Sequence, residues 1–535
     1  MNENEKRTAQ LIEAGQAFLG IELGSTRIKA VLIDASHQVL ATGNYDWENQ
    51  LVDGVWTYPL DLAWEGVSSA YLALKRQVKD RYGVTLSRLG AMGFSAMMHG
   101  YLPFDEKDQL LAPFRTWRNT MTLEAAETLT EAFSCNIPQR WSVAHLYQAA
   151  LNQEPHVKDV RFITTLAGYI HWQLTGQKVL GVGDASGMFP IDAGAMDYDS
   201  AMLDTFQGLV AGKNFAWRLI DLLPKVLRTG EDAGTLTPEG ARRLDPEGDL
   251  LPGIPLCSPE GDAGTGMTAT GAVAAGTGNV SAGTSIFAMV VLDHSLSRYY
   301  PEIDMVTTPA GDPVAMVHCN NCTTDLNAWV DLFDQFAAEA GLSLTKGQIF
   351  EAFFGAALKS APDAGGITSI GYHSGEHITG FTTGQPLLLY PVDDAFSFPN
   401  LARAILFSTL GTLKIGMEIL EKEQVAISRI LGHGGLYKTG DAGQRFTAAA
   451  LSAPVSVMAT AGEGGAWGIA ILAAYLMQHQ GLSLGAYLDE KVFKSLESKT
   501  LTPDEKDVRG FAAYMERFKK ALQVAQAAIT HYKGE

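Results

Sequence analysis

Phe18–Asp34 reads F-L-G-I-E-L-G-S-T-R-I-K-A-V-L-I-D. An apolar strand, Phe18–Leu23, meets the turn Gly24-Ser25-Thr26, and a second apolar strand, Arg27–Ile33, leads away to Asp34. The pattern predicts a hairpin whose corner is made of small residues. It occurs twice. Asn279–Ala282 runs into Gly283-Thr284-Ser285 and out through Ile286–Leu292 to Asp293. With Gly24 set on Gly283, Ser25 falls on Thr284, Thr26 on Ser285, Val31 on Val290 and Asp34 on Asp293. A repeat spaced this widely indicates duplicated domains rather than a solenoid.

Outward from the first copy, Val39–Thr42 reads as a third strand, Leu60–Tyr82 as a helix and Leu89–Ser95 as a buried strand. Beyond the second copy the pattern gives a helix near Asn400–Lys422 and a strand Ala426–Leu431 ending in Gly432-His433-Gly434-Gly435. A helix Ala442–Ser452, a strand Val455–Ala459, and Gly462-Glu463-Gly464-Gly465 opening a helix Ala466–Gln478 follow. Strands alternating with helices predict an α/β fold, its sheets covered by helices. From Asp504 onward Phe511, Tyr514, Phe518, Leu522 and Ala525 form one helical stripe, read as packing.

At 535 residues the chain is too long for one core, so two large domains are expected. A net charge of −19 repels nucleic acid and anionic membrane, so neither is expected as a partner. A phosphate ligand then needs a local device. Met1–Gln16 is polar, without an apolar signal core, and the run Gly465–Met477 is too short for a bilayer, so a cytoplasmic protein is expected. Cys135, Cys257, Cys319 and Cys322 make no disulfide framework, and the single C-x-x-C lacks a second pair for zinc; structural thiols are expected. His373 and His377 are four apart, but Gly375 between them argues for a loop, and no metal is assigned there.

Both Gly-hydroxyl-hydroxyl turns suit phosphate, because glycine lets backbone approach an anion and Ser or Thr adds donors. No Walker A pattern exists: Lys438-Thr439 lacks the preceding glycine, and the protein-kinase motif set is missing. An ATP site must belong to another superfamily.

Phe18–Asp34 resembles the first phosphate motif of the FGGY carbohydrate kinases, of the actin, Hsp70 and hexokinase superfamily. Further segments resemble that family in order. Ser95-Ala96-Met97-Met98-His99-Gly100 is similar to S-x-Q-M-H-G, Trp117-Arg118-Asn119-Thr120 stands at the W-x-D-x-R position, and Asp184-Ala185-Ser186-Gly187 matches D-A-S-G. Gly261-Asp262-Ala263 matches G-D-x-A, Gly283-Thr284-Ser285 the second phosphate loop, Tyr372–His377 resembles Y-L-S-G-E-R, and Gly434-Gly435 with Glu463–Ala470 resemble the adenosine loop and its helix.

The resemblance implies two RNase H-like, actin-like ATPase domains with a central cleft. The division is 1–17 as an N-terminal extension, 18–272 as the sugar-binding domain, 273–500 as the nucleotide-binding domain and 501–535 as a helical tail. It implies an ATP-dependent kinase for a small carbohydrate, a ketopentose such as xylulose or ribulose, with Asp262 as base and Glu22 holding Mg²⁺ through water. Met98, His99, Trp117, Arg118, Asn119 and Asp184 line the sugar pocket in this reading. Gly24, Ser25, Thr26 and Arg27 hold phosphate from one side and Gly283, Thr284 and Ser285 from the other, while Gly434, Gly435 and Thr439 lie near adenosine. A homodimer is one assembly open to such a chain.

Glu22 stands where the family has Asp, Met97 where it has Gln, Asn119 where it has Asp, and His377 where it has Arg. Departures gathered around the sugar imply altered specificity rather than lost catalysis. A deoxyketose, a tetritol or glycerol is then the rival substrate, and an actin-like regulatory ATPase is the rival from another class.

Overall fold

The computed structural model describes residues 1–458, 464–494 and 498–532. It divides into two compact units. The first is Met1–Ala274, Met305–Val314 and Gly462–Ser495; the second is Ala275–Asp304, Ala315–Ala461 and Leu496–Glu535. The α/β expectation holds in both.

The first unit is built on the quoted hairpin. Phe18–Leu23 pairs antiparallel with Arg27–Ile33, which pairs antiparallel with Val39–Asp46. On its other edge Phe18–Leu23 pairs in parallel with Ala91–Ala96, and Glu260–Gly261 adds a short parallel edge beyond that. Strands with both faces covered read as continuous apolar runs, and helices cover both faces here. Leu60–Tyr82 packs on Val39–Asp46 and Arg27–Ile33. Gly464–Gln478 packs on Phe18–Leu23, Ala91–Ala96 and the helix Asp262–Thr270. This helix is buried from Gly465 to Tyr475, as its nearly all-apolar sequence requires. It belongs by contact to the first unit although it lies within the stretch read from sequence as the second domain. Gly462 and Glu463, read as the turn opening it, lie outside the described residues.

The second unit repeats the plan. Thr277–Ala282 pairs antiparallel with Ile286–Val291 and in parallel with Arg429–Gly434, which pairs in parallel with Val455–Met458. Ser498–Leu501 closes that edge antiparallel to Val455–Met458. Phe398–Lys422 and Ala442–Leu451 supply helical cover, and Glu505–His531 docks with Phe511, Tyr514, Phe518 and Ala525 buried. The duplication inferred from sequence is therefore one of topology, with one difference at the corner. Leu23 faces Ile28 across the first hairpin, whereas Ala282 faces Ile286 across the second, a tighter closure by one residue.

All four cysteines are free, and Cys319 and Cys322 are buried, with burial pushing their thiols up. Among the described residues no helix is long and apolar enough to cross a membrane.

Candidate active site

The site in the first unit is assembled where the parallel strands end. Leu23 and Ala96 are register partners, so the chain leaving each emerges at one edge of the sheet. Gly24–Arg27 leaves the first strand and Met97–Gly100 the second, and Glu260–Gly261 delivers Asp262 beside them.

Asp262 opens the helix Asp262–Thr270. Its Oδ1 accepts the Met98 N–H at 3.1 Å and the Ala263 N–H at 3.0 Å. Burial pushes the carboxyl above the usual aspartate range, and these backbone donors oppose the rise. Gly261 is glycine for a steric reason: a Cβ there would lie 2.1 Å from Met98 Cγ and 3.2 Å from Asp184 Oδ1. Asp184 is fully buried, its Oδ2 accepts the Thr165 hydroxyl at 2.6 Å, and its Oδ1 has no hydrogen-bond partner. Burial, with Asp262 adding repulsion, pushes Asp184 up to about 7. Asp262, Asp184 and Met98 therefore converge on one glycine.

His99 sits at φ 69°, in the left-handed region, and its Nδ1 lies 3.0 Å from the Gly187 carbonyl. The carbonyl can only accept, so Nδ1 carries a proton. The D-A-S-G segment and the Met98-His99 pair are thus in direct contact.

Glu22 lies partly buried on Phe18–Leu23, with protein around its carboxyl, and its Oε2 accepts the Ala466 N–H at 3.1 Å. Burial first, then repulsion from Asp262, pushes it up to about 7. The Ala466 N–H and the charge of Lys29 oppose the rise without cancelling it. A hard divalent ion is commonly held by one or two carboxylates together with phosphate oxygens, so Glu22 fits a Mg²⁺ role. Among the described residues no group of three or more His, Cys, Asp or Glu is placed to hold a metal.

Of the other residues expected at the sugar, Asn119 and Arg118 are held by the Val55–Thr57 strand. The Asn119 amide is committed to the Trp56 backbone: Oδ1 accepts its N–H at 2.9 Å and Nδ2 donates to its carbonyl at 2.8 Å. Arg118 stacks 3.8 Å over the Trp56 ring, and Trp117 is exposed. Met97 is buried in the core cluster.

Both phosphate turns are fastened by their carbonyls. Trp47 Nε1 donates to Gly24 O at 2.7 Å and the Tyr58 hydroxyl to Ser25 O at 2.6 Å, the two rings stacking at 4.2 Å. In the second unit, Thr323 donates N–H and hydroxyl to Gly283 O at 3.0 and 2.6 Å, and Cys322 N–H donates to Thr284 O at 3.1 Å. Thr26 and Thr284 stand exposed at the two tips. With carbonyls committed inward, what each turn offers outward is donors, the polarity that suits an anion. Arg27 is exposed and paired with Asp46 at 2.6 Å.

In the second unit, Ala282 and Gly434 are register partners, which brings Gly283–Ser285 beside Gly434-Gly435. Gly434 has φ 102°, and a Cβ would lie 2.4 Å from Ala282 O. Thr439 follows, partly buried. In Tyr372–His377, Glu376 is fully buried, its Oε2 accepting the Asn320 N–H at 2.8 Å, and burial pushes it up to about 7.

Three features escaped the sequence reading: the aromatic donors Trp47 and Tyr58, Thr165, and Glu260. Glu260 had a legible signal, a lone acidic residue in the otherwise uncharged run Cys257-Ser258-Pro259-Glu260-Gly261.

Comparison with known proteins gives one family for both halves. Residues 17–268 match the N-terminal domain, and residues 278–477 the C-terminal domain, of the FGGY family of carbohydrate kinases. The chain is similar to a xylulose kinase of Haemophilus influenzae, 22% identical over 446 residues, covering 78% of this chain and 82% of the relative. Among solved structures, a Rhodospirillum rubrum xylulose kinase matches with TM-score 0.78 at 16% identity, over 96% of this chain and 99% of that one. A Lactobacillus acidophilus gluconate kinase matches with TM-score 0.77 at 16% identity, again over 96% and 99%.

Proposed function

The chain belongs to the FGGY family of carbohydrate kinases, and from that premise we propose that it transfers the γ-phosphoryl group of ATP to a hydroxyl of a ketopentose such as xylulose or ribulose, with Asp262 as general base. The observation that carries this reading is the convergence of Asp262, Asp184 and Met98 on Gly261.

Phosphoryl transfer asks a protein mainly for positioning and charge stabilisation. Asp262 is positioned: two backbone donors fix Oδ1, which leaves the other oxygen to take the proton of the sugar hydroxyl. Its raised pKa brings the base nearer working pH. Asp184 Oδ1 accepts from another sugar hydroxyl, His99 lines the pocket beside it, and Met98 supplies an apolar wall. On the first unit Ser25, Thr26 and Arg27 are the phosphate-holding residues of this reading; on the second, Gly283, Thr284 and Ser285 take that role and Gly434, Gly435 and Thr439 hold adenosine. Glu22 would hold Mg²⁺, which would supply positive charge against the phosphates.

The xylulose kinases among the similar proteins support the ketopentose. Sugar-dependent ADP formation across ketoses, deoxyketoses, tetritols and glycerol tests the substrate class, and hydrolysis indifferent to every sugar would overturn it. Asp262→Ala tests the base. A positioned base contributes roughly 10²–10⁴-fold, so the variant is expected to lose at least 10²-fold. Retention of more than about a tenth of wild-type activity removes the assignment.

A further inference from the structure

Glu260 is used by nothing described above. Its side chain is fully buried on the short strand before Asp262, and its Oε1 has no hydrogen-bond partner. A buried carboxyl with one oxygen left unpartnered is costly unless something holds it there. The chain has made room for this one at two glycines. A Cβ on Gly181 would lie 2.0 Å from Glu260 Oε1, and a Cβ on Gly183 would lie 2.4 Å from Oε2.

Those glycines flank Val182, at the start of the turn Val182–Ala185 that carries Asp184. Gly181 brings no side chain to accept the amides of that turn, and no side-chain cap is present. Glu260 Oε2 instead accepts the Asp184 N–H, at 2.9 Å, from a different strand. On the side-chain end, the Thr165 hydroxyl holds Asp184 Oδ2 at 2.6 Å. Asp184 is thus gripped at backbone and side chain, and its one unpartnered oxygen, Oδ1, points to the Gly261 turn beside the base.

We propose that Glu260 is a positioning residue for the sugar site: by holding the Asp184 backbone amide it aims Asp184 Oδ1 at a substrate hydroxyl next to Asp262. The proposal rests on the sugar-kinase reading for its ligand, a polyhydroxylated sugar, but not for its geometry. Glu260 touches no substrate itself.

Two variants of similar volume separate acceptor from bulk. Glu260→Gln keeps a carbonyl that can accept the Asp184 amide; Glu260→Met fills the space and cannot. In the full chain, Glu260→Met is expected to raise the sugar KM by roughly tenfold or more, the size of one lost buried hydrogen bond. The ATP KM should move less than about twofold, and Glu260→Gln should recover most of the loss. Combining Glu260→Met with Asp184→Ala should add little to Asp184→Ala alone, because both act through one side chain. Equal damage from Gln and Met, or full additivity with Asp184→Ala, overturns the proposal. A wild-type protein silent on every sugar would remove the kinase reading instead, and hydrogen exchange then decides. Protection of the Asp184 amide should fall at least about tenfold in the Met variant and persist in the Gln variant; unchanged protection in both overturns the proposal.

Discussion

At Asp184 burial has left a carboxyl that the fold prefers protonated. Its pKa stands at about 7 against an ordinary 3.8. The stabilisation from the protonated form is therefore complete below pH 3.8 and is lost as pH rises through 7, by up to about 1.4 kcal/mol per pH unit between those limits. Asp184→Asn removes this titration while keeping the shape. The variant's melting temperature relative to wild type should climb steadily from pH 5 to pH 7 and then level off. A gap that does not change with pH would show that Asp184 does not titrate in this range. Glu22, Asp325 and Glu376 are raised in both proteins and cancel, whereas Glu260, raised in part by repulsion from Asp184, is relieved in the variant and shifts the gap in the same direction. Asp262 was legible in sequence because a Gly-Asp-small step leaves few other readings once the flanking motifs are in order. Glu260 stood out only as a lone acidic residue in an uncharged run; what it does was not legible, because that depends on glycines at 181 and 183, far away in the chain and beside it in space.

Elements were legible where their ends carry their own signals. Leu60–Tyr82 forms as the sequence indicates, entered after Pro59 and stopped by Gly83 at φ 71°. The second long helix starts at Phe398 rather than Asn400, because Pro399 is tolerated in a first turn. The strand read as Ala426–Leu431 runs instead over Arg429–Gly434: the glycines expected to form a turn stay in the ladder beside Thr277–Ala282. The N-terminal helix Glu3–Glu13 went unread although Asn2 and Glu5 form a reciprocal capping box. Interlocking of helices is invisible in sequence, and it sets the helix that carries the proposed base. A Cβ on Gly468 would lie 2.0 Å from the Thr265 carbonyl oxygen, on the helix that begins with Asp262. Gly468→Ala must push the two helices apart, at a cost of about 1–3 kcal/mol. The displaced helix carries Asp262, the proposed base, so kcat should fall tenfold or more while the melting temperature drops only a few degrees. A variant with wild-type kcat would separate this packing from the chemistry.

The whole chain is interleaved, and this is what a linear reading describes least well. The repeated hairpins mark two halves, yet the first unit also draws on Met305–Val314 and Gly462–Ser495. Motif order cannot show this, because a helix that is apolar all round carries no mark of which sheet it will cover. The consequence is testable with a fragment ending at Ala274. It contains every strand of the first sheet and the residues proposed to hold sugar, but lacks the helix Gly464–Gln478 that covers Phe18–Leu23 and Ala91–Ala96. Trp467, Ile469, Ile471 and Leu472 are each almost fully buried in that cover. At about 1.5–3 kcal/mol for each large apolar side chain, their loss is of the order of 6–12 kcal/mol, comparable with the roughly 5–15 kcal/mol that holds a whole domain together. The fragment should therefore melt without a cooperative transition and bind a hydrophobic dye strongly. Joining residues 462–495 back to it through a flexible linker should restore a cooperative melt. A fragment that unfolds cooperatively near the full-length melting temperature without them would mean that the first sheet holds its core without the helix, and that the interleaving serves the placement of Glu22 and Asp262 rather than stability.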